Sequence, residues 1–144
     1  MKILSILLLT IFLGNSCDSA KAQDMENVSI EYTANTRGFY QKIILKNQTI
    51  TVSKDRDGND KTAPIKINDA DWKEVVACFK ELELDRLSEL KAPTEKRFHD
   101  GAAIANLKIN YKDKSYETTG FDHGFPPKEI KKFVAKINSF VKKE

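Results

Sequence analysis

Val28, Ile30 and Tyr32 alternate with Ser29, Glu31 and Thr33, the period of a strand with one face buried. Thr36-Arg37-Gly38 interrupts that alternation, and two further strands, Phe39 to Leu45 and Thr49 to Ser53, flank Asn47-Gln48. A two-residue loop at Asn47-Gln48 pairs Leu45 with Ile50 and Ile43 with Val52, so all four share one face and the register is self-consistent.

The pattern then changes period. Trp72, Val75, Val76, Phe79 and Leu82 follow helical spacing. Asn68 stands where an N-cap belongs, Asp71 where a capping-box partner belongs, and Ile67 and Trp72 occupy the staple positions. Trp72 therefore reads as core. Leu84, Leu87 and Leu90 predict an irregular turn over the sheet edge, and Lys91 to Asp100 reads as a loop. Ala102 to Tyr111 and Ser115 to Phe121 predict a hairpin about Asp113-Lys114, with Tyr111 opposite Tyr116. Leu107, Ile109, Tyr111, Tyr116 and Thr118 then share a face, which Ala103 and Ala105 continue toward Gly120, Asp122 and Gly124. Pro126-Pro127 opens the last helix, where proline is tolerated, and Ile130, Phe133, Val134, Ile137, Phe140 and Val141 form its apolar stripe.

The order is β-β-β-α-β-β-α. It predicts an α+β fold, an antiparallel sheet of about five strands with two helices packed on one face.

The first residues obey a different logic. Met1-Lys2 is a charged start, Ile3 to Leu13 is almost wholly apolar, and Gly14-Asn15-Ser16-Cys17 follows. That is the layout of a bacterial export signal. At about eleven residues the apolar run is far short of the ~20 that cross a bilayer as a helix. Cys17 is the expected lipidation site, although Gly14 occupies the position where a lipobox usually has an aliphatic residue. Ala20-Lys21-Ala22 offers ordinary cleavage before Gln23 as the competing route. The expected organisation is a signal peptide over 1–16, a disordered polar tether over 17–26 and a single domain over 27–144. The destination is the cell envelope, periplasmic or outer-membrane side, or a soluble periplasmic or secreted form if cleavage follows Ala22.

Composition narrows the function classes. The 144 residues hold 24 basic and 21 acidic side chains, net +3, a mixed surface without the basic stripe of a nucleic-acid binder. Cys78 lies on the apolar helical face with Val75 and Leu82 and reads as a small buried hydrophobe. With Cys17 lipidated, no disulfide is expected. Asp55, Asp57 and Asn59 alternate as in a calcium loop, but aligning Gly58 with its glycine puts Pro64 where the bidentate Glu belongs. The run reads instead as a solvated Asp-Gly turn. There is no G-x-S-x-G, no S-x-x-K and no Walker glycine pattern.

Two polar segments remain, Ala92 to Ala103 and Thr118 to Pro127, at the same end of the last hairpin, each with one His and one Asp. The hairpin register points Asp122 to the packed side and His123 to the other. A carboxylate on the packed side needs partners, and Arg97 and Arg37 are the candidates. Three readings follow. Asp122 bonds amides of the Gly-Phe-Pro turn and locks the start of the helix; or Arg97, His99, Asp100, Asp122 and His123 build a binding cleft; or the His/Asp set ligates a metal, although it lacks an H-x-x-x-H or H-x-H pair.

Asp71-Trp72, Ala92-Pro93-Thr94, Asp100-Gly101-Ala102 and Phe121-Asp122-His123-Gly124 with Pro126-Pro127 together resemble a group of small exported proteins of the Bacteroidota, many of them lipoproteins. The resemblance covers most of Val28 to Glu144. It implies an exported location and a compact α+β domain, and it implies no mechanism. The expected function is an envelope-anchored, non-enzymatic domain that binds a protein partner or small ligand at the loop end of the second hairpin, with no cofactor and no nucleic acid. The alternatives are a hydrolase-like or metal-dependent enzyme using Asp100, Asp122, His99 and His123, and an inhibitor-like module presenting the 93–100 loop.

Overall fold

A computed structural model describes residues 25–60 and 62–141. The export segment, Cys17 and most of the expected tether lie outside the described residues. No described helix is long and apolar enough to cross a membrane.

The fold is α+β. Seven strands, β1 (Ser29–Thr36), β2 (Phe39–Lys46), β3 (Thr49–Ser53), β4 (Ile65–Lys66), β5 (Ile104–Tyr111), β6 (Lys114–Glu117) and β7 (Phe121–Asp122), form one antiparallel sheet. Its order is β4-β3-β2-β1-β5-β6, with β7 paired to β5 beyond β6. The helices are α1 (Asp69–Lys80) and α2 (Lys131–Ser139). Two strands exceed the expected five: β4 is a short edge strand in a stretch of mixed polarity, and β7 is the separated end of the last hairpin. The domain also starts earlier than expected. Met25, assigned to the tether, is buried with the core and begins a 3-10 turn.

The first hairpins follow the hydrophobic pattern. Leu45 faces Ile50 and Ile43 faces Val52. Asn47 and Gln48 both adopt positive φ, 51° and 58°, as a type I′ turn requires. α1 starts as its sequence dictates: the Asn68 side chain accepts from the Asp71 amide at 2.8 Å and donates to the Asp71 carboxylate at 2.6 Å. α2 is preceded by a 3-10 turn, Lys128–Ile130, after Pro127, and buries Phe133, Val134 and Ile137. Lys136 of α2 bonds Asp71 at 2.8 Å and also Glu74, which ties the helices together. The core is one cluster, with Ile30, Tyr32, Ile43, Leu107, Ile109, Val75 and Ile137 among its closed residues.

The last hairpin departs from expectation twice. Its turn is Lys112-Asp113, φ 49° and 61°, so Ile109 faces Tyr116 and Tyr111 faces Lys114. That two-residue shift keeps every side chain on its expected face. The second departure does not. The ladder runs in step as far as Leu107, whose carbonyl accepts from the Thr118 amide and whose amide donates to the Thr118 hydroxyl. Beyond it Ala105 faces Phe121 and Ile104 faces Asp122. Thr119 and Gly120 therefore oppose Asn106 alone, one extra residue, which is a β-bulge. A Cβ on Gly120 would sit 3.3 Å from Ile104 Cγ2, so the bulge is snug at its glycine. The slip reverses facing for everything after it. Phe121 enters the core. Asp122 shares the outer face with Ile104, and His123 returns to the helix side.

The Asp-rich turn between β3 and β4 uses its carboxylates locally. Asp60 accepts from the Ser53 hydroxyl at 2.6 Å and from the amides of Lys54 and Asp55. Asp55 accepts from the amides of Asp57 and Asn59.

Candidate functional site

Asp122 and His123 are neighbours in sequence that the bulge sends to opposite faces of the sheet. Their surroundings differ accordingly.

Asp122 lies on the outer face, yet it is fully buried, because the Ala92–Asp100 loop folds over it. Thr94 Oγ1 donates to Oδ2 at 2.6 Å and the Lys96 amide donates to the same oxygen at 2.7 Å. The Arg97 amide and Arg97 Nη1 each reach Oδ1 at 3.0 Å. Arg97 Nη1 also donates to the Thr94 carbonyl at 2.8 Å. Burial works against ionisation and is the largest single influence on this carboxyl. The Thr94 hydroxyl, the Arg97 amide and guanidinium and the Lys96 amide outweigh it together and hold the group at about 2. Arg97 is thus the partner and Arg37 is not. The amides come from the 94–97 segment rather than from the Gly-Phe-Pro turn. That turn closes through backbone alone, the Phe125 amide donating to the Asp122 carbonyl at 2.9 Å, with Gly124 at φ 91° in the position where a type II turn needs glycine. Lys96 Nζ sits 3.9 Å from the Phe125 ring centroid, which holds the loop against the turn, and Arg97 lies over Phe98 within the loop.

His99 and Asp100 are exposed and away from this cluster. Asp100 adopts φ 55° and caps the 3-10 turn Lys96–His99. The five residues expected to form one cleft are therefore distributed over three environments: Arg97 with Asp122 in a closed ion pair, His99 with Asp100 in solvent, and His123 behind the sheet. Among the described residues no three His, Cys, Asp or Glu gather closely enough to hold a metal. Cys78 is half-buried, and burial, reinforced by Glu81, pushes its thiol pKa up, away from the reactive thiolate.

His123 is half-buried on the helix side, its pKa lowered by that burial. Tyr32 Oη lies 2.7 Å from its Nδ1, and the imidazole packs against Tyr32 and Phe39, ring centroids 5.9 and 5.3 Å away. Tyr32 is fully buried, and burial raises its phenol to about 12 although an Asn138 hydrogen bond opposes the rise. Asn138 Oδ1 accepts from Gln41 Nε2 at 2.8 Å, and Asn138 Nδ2 donates to the Val134 carbonyl. Of Gln41 and Asn138, from β2 and α2, Asn138 carries no sequence signal of its own. Gln41 occupies an inward position of a strand that otherwise places Ile43 and Leu45 there. A polar residue at a core-facing strand position was the one readable hint.

A cleft of 280 Å³ is lined by Gln41, His123, Gly124 and Pro126, by Lys131, Val134, Ala135 and Asn138 of α2, and by Val141 just after it. Its walls are mainly apolar and its polar groups converge from three elements, as in small-molecule sites. A wider depression of 510 Å³ at the opposite end of the sheet is lined by turn residues such as Asn47, Lys112 and Asp113. It is shallow and polar, so volume alone does not identify a site. Comparison with protein-family models, with curated protein sequences and with solved structures finds no match for the chain.

Proposed function

We propose that this chain is an exported, non-enzymatic binding domain, tethered to the cell envelope through Cys17, whose ligand site is the cleft beside His123. The observation that carries the reading is the placement of His123: one ring nitrogen is held by Tyr32 while the ring borders an apolar cleft. Asp122 is unsuited to acid–base work, since its oxygens are already occupied by Thr94, Lys96 and Arg97 and its low pKa makes it a poor base. The export layout of Met1 to Cys17, and the resemblance to small exported Bacteroidota proteins, are what favour an envelope location.

Two experiments test the reading. In a fragment screen by ¹H–¹⁵N NMR on the full chain, shifts should cluster at Gly124, Ala135 and Asn138. Ala135 is exposed, so Ala135→Trp should fill the cleft, abolish those shifts and leave the fold intact. Fragments that cluster elsewhere and ignore Ala135→Trp would refute the site. For anchoring, fatty-acid labelling should be lost in Cys17→Ser; equal labelling of the two proteins refutes the tether.

A further inference from the structure

The cleft's hydrogen bonds run in one direction, and that direction selects a ligand. The Gln41 amide nitrogen donates to Asn138 Oδ1 and the Asn138 amide nitrogen donates to the Val134 carbonyl, so it is the donor end of Asn138 that influences Tyr32. Asn138 accordingly favours the phenolate form of Tyr32, as a donor does. Tyr32 is fully buried, and among the described residues its hydroxyl has no acceptor other than His123 Nδ1 at 2.7 Å, so the hydroxyl proton goes there. A neutral imidazole that accepts at Nδ1 carries its proton on Nε2. Among the described residues nothing else bonds the ring. The relay Gln41–Asn138–Tyr32–His123 therefore delivers a hydrogen-bond donor to the cleft rather than an acceptor.

Lys131 lies on the wall of the same cleft. The residues that line it include no carboxylate, and Lys131 has no acidic partner among the described residues. A cation and a neutral N–H thus face a volume whose apolar walls are Pro126, Val134, Ala135 and Val141. The occupant that satisfies all of these is an anion with an apolar body. At 280 Å³ the cleft is just under the ~300–1,000 Å³ of sites for drug-sized molecules, so the body is small.

We propose, resting on the reading of the cleft as the ligand site, that it takes small carboxylates bearing an apolar chain or ring, the carboxylate bonded by His123 Nε2–H and Lys131 and the body lying along α2.

The test compares three probes of one shape, 4-phenylbutyrate, 4-phenylbutan-1-ol and 4-phenylbutylamine, titrated into the ¹⁵N-labelled full-length protein. Phenylbutyrate should shift the amides of Gly124, Ala135 and Asn138 and the His123 Nε2 resonance. It should bind at least about tenfold tighter than the alcohol or the amine, and Lys131→Ala should remove about tenfold of that affinity. Imidazole ¹⁵N shifts should show the Nε2–H tautomer before any ligand is added. Equal binding of alcohol or amine in the cleft overturns the carboxylate class while leaving the site in place. The Nδ1–H tautomer overturns the relay. No shift from any probe overturns the proposal, and the Ala135→Trp fragment experiment then decides separately whether the cleft binds at all.

Discussion

Asp122 and His123 are adjacent, yet one is closed on every side and the other borders open space. Two donors reach each Asp122 oxygen, whereas His123 is held through one ring nitrogen. The difference separates scaffold from site. A buried charge whose hydrogen-bonding capacity is fully used fixes structure. A half-buried ring with a free nitrogen beside an apolar cleft retains the capacity to recognise something. The same bulge at Thr119-Gly120 creates both, because it turns one side chain under the 92–100 loop and the next toward α2.

The largest way to break this contrast is Asp122→Ala. It strands the Arg97 guanidinium, two amides and a hydroxyl in a closed space. Removing one partner of a buried pair costs roughly 3–5 kcal/mol, so urea unfolding should show a loss of that order. Asp122→Asn keeps the shape and should lose less. If Asp122→Ala unfolds at the wild-type urea concentration, the cluster is not the scaffold described here.

Acid should distinguish the two neighbours next. The folded Asp122 pKa of about 2 lies below the ordinary 3.8. Its stabilisation is therefore complete above about 3.8 and is lost as pH falls toward 2. The folded His123 pKa is also depressed, from 6.5, so the neutral ring favours the folded state. That contribution is present above 6.5 and declines as pH falls from 6.5 through the lower folded value. Stability against pH should thus fall in two limbs. His123→Phe should remove the upper limb only, and Asp122→Asn should reduce the lower only, leaving the part owed to Asp60, whose carboxyl the Ser53 hydroxyl and nearby amides also hold below its ordinary value. A single limb in the wild type would break the assignment.

Much of this fold was legible in the chain. The alternation of Ile30 and Tyr32 with Glu31 and Thr33, the Asn47-Gln48 turn, the Asn68 cap and the α2 stripe each agree with the pattern around them, and each formed as read. The bulge was not legible. Thr118-Thr119-Gly120 continues an alternating segment, and only the identity of Gly120 hinted at irregularity. A one-residue slip reverses facing, so the expected sides of Asp122 and His123 were exchanged. The choice of Arg97 over Arg37 followed from loop 92–100, whose path has no periodicity to read. Gln41 and Asn138 were missed because they are distant in sequence and ordinary in type, and only packing brings them together.

Tyr32→Phe sharpens the comparison from the cleft side. The ring stays in the core, but His123 Nδ1 loses its partner. An unsatisfied buried group costs about 1–3 kcal/mol, and the open cleft lets water recover part of it, so a loss of about 1 kcal/mol is expected in urea. The imidazole tautomer should become mixed, readable by ¹⁵N NMR, and phenylbutyrate affinity should fall. An unchanged tautomer would mean that Tyr32 does not set the donor.

The smallest effect belongs to the residues that sequence alone placed beside Asp122. His99 is exposed, so His99→Ala should change stability by no more than about 0.5 kcal/mol. Asp100 adopts φ 55°, a conformation that glycine reaches without strain but at a greater entropic loss on folding. Those terms oppose each other, so Asp100→Gly should also be close to neutral. Neither change should alter phenylbutyrate binding, because both residues lie outside the His123 cleft. Their silence would confine recognition to the helix side of the sheet. A large loss of binding in either variant would instead return the 93–100 loop to the site and erase the separation that the bulge makes.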